Sequence, residues 1–99
     1  MSLLEWDLRD TMREREEIES IILDVTQKLE RAKERQKVMR ADLSKVRQRS
    51  RVRTSKEFLA EAFQEVDSFI FTMELKLQKA TTRRDQLDMK LKRLQENLL

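Results

Sequence analysis

The 99-residue chain contains neither glycine nor proline, and this absence restricts its fold more than any other feature of the sequence. Glycine supplies the positive φ angles of most tight turns, and proline supplies preset bends in loops. Folds that need many sharp turns, such as hairpin sheets, barrels and nucleotide-binding α/β domains, are therefore excluded. Long helices need almost no such turns, so the sequence predicts an all-α protein.

The composition agrees with long helices and argues against an enzyme. Charged residues make up 41% of the chain and hydrophobic residues 38%, a balance typical of coiled coils. Cysteine and histidine are both absent, which removes disulfides, thiolate zinc sites and the commonest general base. We therefore expect no enzymatic activity, no catalytic or metal-binding residues, no cofactor and no small-molecule ligand.

The hydropathy of the chain predicts a soluble protein of the cytoplasm. No run of apolar residues approaches the 18 or more of a membrane-spanning helix. The first residues lack the basic region and apolar core of a signal peptide. The missing cysteines are compatible with a reducing compartment.

Hydrophobic residues recur at alternating spacings of four and three along the first half of the chain. This heptad pattern predicts a coiled-coil helix with one narrow apolar face. We call this face the first seam, and Thr11, Arg15 and Gln36 are its polar members. It comprises Met1, Leu4, Leu8, Thr11, Arg15, Ile18, Ile22, Val25, Leu29, Ala32, Gln36, Met39, Leu43 and Val46.

A second heptad pattern follows in the other half of the chain, with Arg84 as its one charged member. The phase slips between the two patterns, because Val46 and Lys56 are ten residues apart where an unbroken heptad requires eleven. We call the second apolar face the second seam. It comprises Leu59, Phe63, Val66, Ile70, Met73, Leu77, Ala80, Arg84, Leu87, Leu91, Leu94 and Leu98.

The charge distribution predicts that the two halves pack antiparallel. Residues 5–19 and 57–74 are rich in acids, whereas residues 28–45 and 76–93 are rich in bases. Antiparallel packing lays each acidic segment against a basic one, and parallel packing would lay like charges together. Placing Val46 opposite Lys56 then pairs Ala32 with Ile70 and Arg15 with Leu87. We expect the two seam arginines to find carboxylate partners among Glu14, Glu19, Asp85 and Asp88.

Two closures of the chain satisfy these contacts. In the favoured one, helices of about residues 3–47 and 55–98 form a hairpin around a basic connector, residues 47–55. In the close alternative, each chain is one continuous helix, and two chains pair as a swapped antiparallel dimer. The missing glycine and proline favour the continuous helix. In the swapped dimer, five basic residues would meet their own copies near the two-fold axis. The repulsion between these like charges favours the hairpin.

Aromatic and aliphatic residues outside the seam predict a partner interface near the start of the second half. A two-stranded coiled coil buries one narrow stripe per helix, so additional apolar residues usually mark an interface. The expected occupant is a second copy of the hairpin, giving a four-helix bundle, or a partner helix. The residues concerned are Phe58, Ala62, Phe69, Phe71 and Leu75.

The segment of residues 47–56 carries the whole excess of positive charge and contains no acid. Its basic side chains, which we call the basic tip, are Arg47, Arg49, Arg51, Arg53 and Lys56. They suit phosphate groups of nucleic acid or of an acidic membrane surface, although aromatic residues for base stacking are missing. A basic-then-hydroxyl order also makes Thr54 and Ser55 candidate phosphorylation sites.

Together these features predict a single coiled-coil region, residues 1–99, that belongs to a longer protein. Its expected role is a non-enzymatic scaffold or oligomerisation module that binds itself and helical partners. The alternative is an anion-binding module that uses residues 47–56 on nucleic acid or acidic lipids. The first reading is favoured because five basic residues without interleaved aromatic residues make a weak anion-binding site.

Overall fold

The computed structural model consists of two α-helices, α1 from Leu3–Arg49 and α2 from Arg53–Leu98. The structure describes residues 2–49 and 53–98, with side chains for residues 2–45 and 57–98. No strand occurs within these ranges. The two helices pack against each other within one chain, which confirms the predicted all-α helical hairpin. The structure thus takes the first of the two closures, and the seams meet in cis.

Both helices extend into the expected connector of residues 47–55. Helix α1 continues to Arg49 and α2 begins at Arg53, while residues 50–52 lie outside the described part of the chain. Neither glycine nor proline is present to end a helix, so backbone hydrogen bonding continues beyond the last seam residues. None of the described residues has a positive φ angle, as expected for a chain without glycine.

Ser2 caps the start of α1. Its hydroxyl oxygen accepts a hydrogen bond from the Glu5 amide at 3.2 Å, and its carbonyl accepts one from the Trp6 amide at 3.1 Å. These bonds satisfy amides that have no partner inside the helix. The same Ser/Thr-x-x-Glu pattern at Thr11 has a different outcome. The Thr11 hydroxyl donates to the Asp7 carbonyl at 2.7 Å, as threonines in helix interiors do.

The hairpin divides into two compact units. Unit 1 comprises Met1–Thr26 and Lys76–Leu99, and unit 2 comprises Gln27–Leu75. In unit 1, Asp7 contacts Lys90 and Glu14 contacts Arg83. Because the α2 number falls as the α1 number rises, the two segments of unit 1 run antiparallel, as predicted.

The two helix segments within unit 2 also run antiparallel. Lys33 of α1 forms an ion pair with Glu74 of α2 at 3.7 Å. Further along α1, the Gln36 amide donates a hydrogen bond to the Asp67 carboxylate. The α2 number again falls as the α1 number rises, so this unit is also an antiparallel helix pair.

The core of each unit consists of seam residues. Buried side chains at heptad positions hold each helix pair together through the hydrophobic effect and close packing. In unit 1 the buried residues are Thr11, Val25, Ala80, Leu87 and Leu94, and in unit 2 they are Leu29, Ala32, Ile70 and Met73. All nine belong to the two seams predicted from the sequence. The small residues Ala32 and Ala80 provide room for the larger neighbours predicted opposite them.

Neither a membrane-spanning segment nor a cluster of metal ligands is found among the described residues of the two helices. Neither helix contains a segment long and apolar enough to cross a membrane. In the same ranges, no group of three or more acidic side chains is close enough together to hold a metal ion. Every buried side-chain nitrogen or oxygen described has a hydrogen-bond partner.

Candidate interaction surfaces

All five residues of the predicted partner interface lie on α2 within unit 2. Phe58, Phe69, Phe71 and Leu75 are exposed, and Ala62 is half-buried. Packing against α1 therefore leaves these apolar side chains accessible, as the width of a two-stranded seam requires.

The structure separates these residues into two faces of α2. Two residues along a helix correspond to a rotation of about 200°, so Phe69 and Phe71 point in nearly opposite directions. Phe58, Ala62 and Phe69 lie within about 40° of one another, beside the second seam. Phe71 and Leu75, one turn apart, lie on the outward side of the helix. The predicted interface is thus two surfaces.

We call the outward face the outer strip. It consists of Gln64, Ser68, Phe71 and Leu75, at spacings of four, three and four residues, and all four are exposed. Phe71 is 64% exposed and Leu75 41% exposed. In a chain with 41% charged residues, four successive positions of one face carry no charge. The outer strip therefore repeats the spacing of a seam without a partner helix in the chain.

The other face of α2 borders a groove between the two helices of unit 2. The groove has a volume of about 390 Å³. Its floor is apolar, formed by Ala32, Val66 and the side of Phe69, which is 42% exposed. We call it the basic groove, because three of its four charged side chains are basic. These four are Lys28, Arg31, Arg35 and Glu65.

The basic side chains of the groove come from one face of α1. Spacings of three and four residues place Lys28, Arg31 and Arg35 side by side along the helix. Among the described side chains, neither Arg31 nor Arg35 forms an ion pair. Sequence reasoning did not single out these residues within the basic segment 28–45. Their helical spacing beside Phe69 is the signal that identifies them.

The residues that flank the seam differ between unit 1 and unit 2. In unit 1 the residues that directly precede the seam residues Leu8 and Arg15, namely Asp7 and Glu14, form ion pairs across to α2. The Lys90 ammonium lies 3.1 Å from Asp7, and the Arg83 guanidinium lies 2.6 Å from Glu14. In unit 2 the residues that precede Leu29 and Gln36 of α1 are the basic Lys28 and Arg35, and the α2 residues opposite them are the apolar Phe69 and Ala62. At these two layers of unit 2, α2 offers no carboxylate.

The opposite side of unit 2 is crossed by several contacts between the helices. The Arg40 guanidinium lies 5.6 Å from the centre of the Phe63 ring, a cation–π distance. A second hollow of about 390 Å³ lies next to this pair. Its lining includes only one charged side chain, that of Arg40, and so offers little charge selectivity. It is lined by Arg40, Leu43, Ser44, Ala60, Phe63 and Gln64.

The two seam arginines lie in a network of carboxylates in unit 1, as predicted. Arg15 donates a hydrogen bond to Asp88 and lies 3.7 Å from Glu19, which also lies 3.8 Å from Arg84. Arg84 also lies 3.6 Å from Asp85. The hydrogen bond to Asp88 raises the pKa of Arg15 above its ordinary value, with the nearby charges of Asp88 and Glu19 adding to the effect. Arg15 therefore stays charged beside the seam.

The basic tip falls mostly outside the described side chains. Arg47 and Arg49 lie in α1 and Arg53 and Lys56 lie in α2, but only their helical backbone is described, and Arg51 lies outside the described residues. The candidate phosphorylation sites, Thr54 and Ser55, lie in the first turn of α2, and their side chains are likewise outside the described set. The anion-binding and phosphorylation hypotheses therefore stay predictions from the sequence.

The chain has a filled seam in each unit, an outer strip on α2 and a basic groove beside Phe69. No protein-family model, curated protein or solved structure matches the chain.

Proposed function

We propose that the protein is a non-enzymatic coiled-coil scaffold of the cytoplasm that self-associates and binds helical partners. The absence of histidine and cysteine supports a role without catalysis. The observation that carries the proposal is the outer strip, an uncharged heptad face with an exposed phenylalanine and leucine at its centre. Such a face is what one helix of an assembly presents to another.

Burial of the outer strip supplies part of the free energy that association requires. Full burial of a phenylalanine or leucine side chain is worth about 1.5–3 kcal/mol. Burying the exposed parts of Phe71 and Leu75 thus contributes on the order of 2 kcal/mol per chain. Association costs at least about 4 kcal/mol in lost freedom. Two strips in contact therefore only offset this cost. Association in the millimolar range needs about 4 kcal/mol more, which burial of side chains next to the strip must supply.

The test is the mass of the full chain in solution, measured by sedimentation equilibrium from micromolar to millimolar concentration. The monomer has a mass of 12.0 kDa. We expect the mean mass to rise with concentration towards twice this value or more. The rise should persist in high salt, because the outer strip has no charges to screen. A mass that stays at 12.0 kDa throughout would refute self-association.

A matched pair of variants assigns the association to the outer strip. The double variant Phe71→Ser, Leu75→Ser removes the apolar centre of the strip and should hold the chain at the monomer mass. Leu23→Ser removes a leucine on α1 that is 61% exposed and lies outside the strip. It should leave the association unchanged. If both variants weaken association equally, the contact does not depend on the outer strip.

A further inference from the structure

We propose that the basic groove of unit 2 binds a partner helix that is acidic and amphipathic. The inference concerns a surface distinct from the outer strip, because the groove lies beside Phe69 and the strip is centred on Phe71. It rests on the proposed function only for the general role of binding helices.

The form of the groove suits a third helix. Its floor runs between α1 and α2, and its walls are the side chains of those two helices. Ala32 at its base is buried and small, so a large apolar side chain can approach between the helices. Val66 is half-buried and Phe69 partly exposed, which leaves apolar surface for a ridge of residues at spacings of three and four.

The charge of the groove selects an acidic helix. Its two arginines, Arg31 and Arg35, form no ion pair with described side chains, and Glu65 is the only acid among the described lining residues. In unit 1 the carboxylates of Asp7 and Glu14, at the heptad position that Arg35 occupies in unit 2, pair with basic residues of α2. In unit 2 the α2 residue opposite Arg35 is Ala62, which supplies none. Aspartates and glutamates beside the apolar ridge of a third helix would complete the pairing.

A second copy of the chain fits this groove less well. In a two-fold interface the same patch meets itself, so two grooves would bring six basic side chains together against two copies of Glu65. The outer strip of a second copy is uncharged and would leave Arg31 and Arg35 without partners. Charge complementarity thus favours a different, acidic partner.

The test uses the full chain and three labelled synthetic peptides, with binding followed by fluorescence anisotropy. The first peptide is a helix of about four turns with leucines on one face, at spacings of three and four, and glutamates on both sides. The second replaces each glutamate by lysine, and the third replaces each leucine by serine. We expect the first to bind at least about tenfold more tightly than either of the others.

Two matched pairs of variants locate the binding. Arg35→Glu reverses a charge in the groove and should weaken binding of the first peptide about tenfold. Lys37→Glu makes the same charge change about 200° away on α1 and should change it less than about twofold. Phe69→Ala should weaken binding about tenfold, whereas Phe71→Ala, on the outward face, should not. Helix content measured by circular dichroism confirms that each variant stays folded.

Several results would overturn the inference. Equal binding of the serine-containing acidic peptide would show a general anion site that nucleic acid or acidic lipid could occupy. Equal loss in Arg35→Glu and Lys37→Glu would show that net charge, and not the groove, governs binding. A change of oligomeric mass in Arg35→Glu would show that a second copy occupies the groove. A chain that self-associates but binds no peptide refutes this inference alone, and a monomer that binds the first peptide refutes only self-association.

Discussion

Replacing Leu87 by alanine should destabilise the hairpin more than any other leucine-to-alanine change in its described part. Leu87 is 1% exposed, the lowest value among the described hydrophobic residues. Leu87 lies on the second seam, in the part of α2 that belongs to unit 1. The first-seam residue predicted opposite it is Arg15. The stem of an arginine covers apolar surface but leaves its charged end at the side of the helix pair.

The magnitude follows from the atoms that are removed. A leucine-to-alanine change deletes three carbon atoms, which at about 0.8 kcal/mol each lowers the free energy of unfolding by about 2.4 kcal/mol. A residual cavity raises the measured cost of such changes to about 2–5 kcal/mol. A helix pair has only one layer of core, so side chains and water relax readily into the space. We therefore expect about 2–3 kcal/mol.

The assay is urea denaturation of the full chain, followed by circular dichroism at constant protein concentration so that association does not enter the comparison. Leu23→Ala is the matched control, because Leu23 also lies in unit 1 and is 61% exposed. It should lower the free energy of unfolding by less than about 1 kcal/mol. If the two variants cost the same, or if Leu87→Ala costs less than about 0.5 kcal/mol, the assignment of the core is wrong.

Three further measurements test the packing of unit 1. Thr11→Val should raise the free energy of unfolding by about 0.5–1 kcal/mol, because Thr11 is 2% exposed and its hydroxyl bonds only to the Asp7 carbonyl of its own helix. A lower urea midpoint would contradict this. A double-mutant cycle at Glu14 and Arg83 should give a coupling of about 0.5–1 kcal/mol in low salt and almost none in 1 M salt, since both side chains are nearly half exposed; an unchanged coupling would indicate a buried pair. Spin labels that replace Ile18 and Arg84 in the same chain should lie about 10–20 Å apart. Dilution with unlabelled chains should leave that distance unchanged, and its loss on dilution would show that the contact joins two chains.

Much of the fold was predictable because heptad spacing and charge act locally. Val25, Met73 and Leu87 are buried because each belongs to an apolar pattern that repeats along one face of its helix. That face can be identified from the sequence without knowing what covers it. The orientation was predictable because acidic and basic segments alternate along the chain. The carboxylate partners of Arg15 and Arg84 followed from the same antiparallel alignment.

The candidate surfaces were predictable only in part. The exposure of Phe71 and Leu75 followed from helical spacing, since one helix in contact with another cannot bury two opposite faces. The basic groove did not follow from the sequence alone. Its identification requires Arg31 and Arg35 of one helix to be seen beside Phe69 of the other, and that juxtaposition depends on the register between the helices.

The amino-acid sequence by itself determined the helical class, the buried face of each helix and their opposite directions, because these depend on spacing and charge along the chain. The tertiary structure decided that the seams meet within one chain, that α1 reaches Arg49 and α2 begins at Arg53, and that one side of unit 2 is open and basic. A seam residue makes the same contact whether its partner comes from the same chain or another. The choice therefore depends on how the chain closes between the helices, and spacing along either helix does not encode that closure.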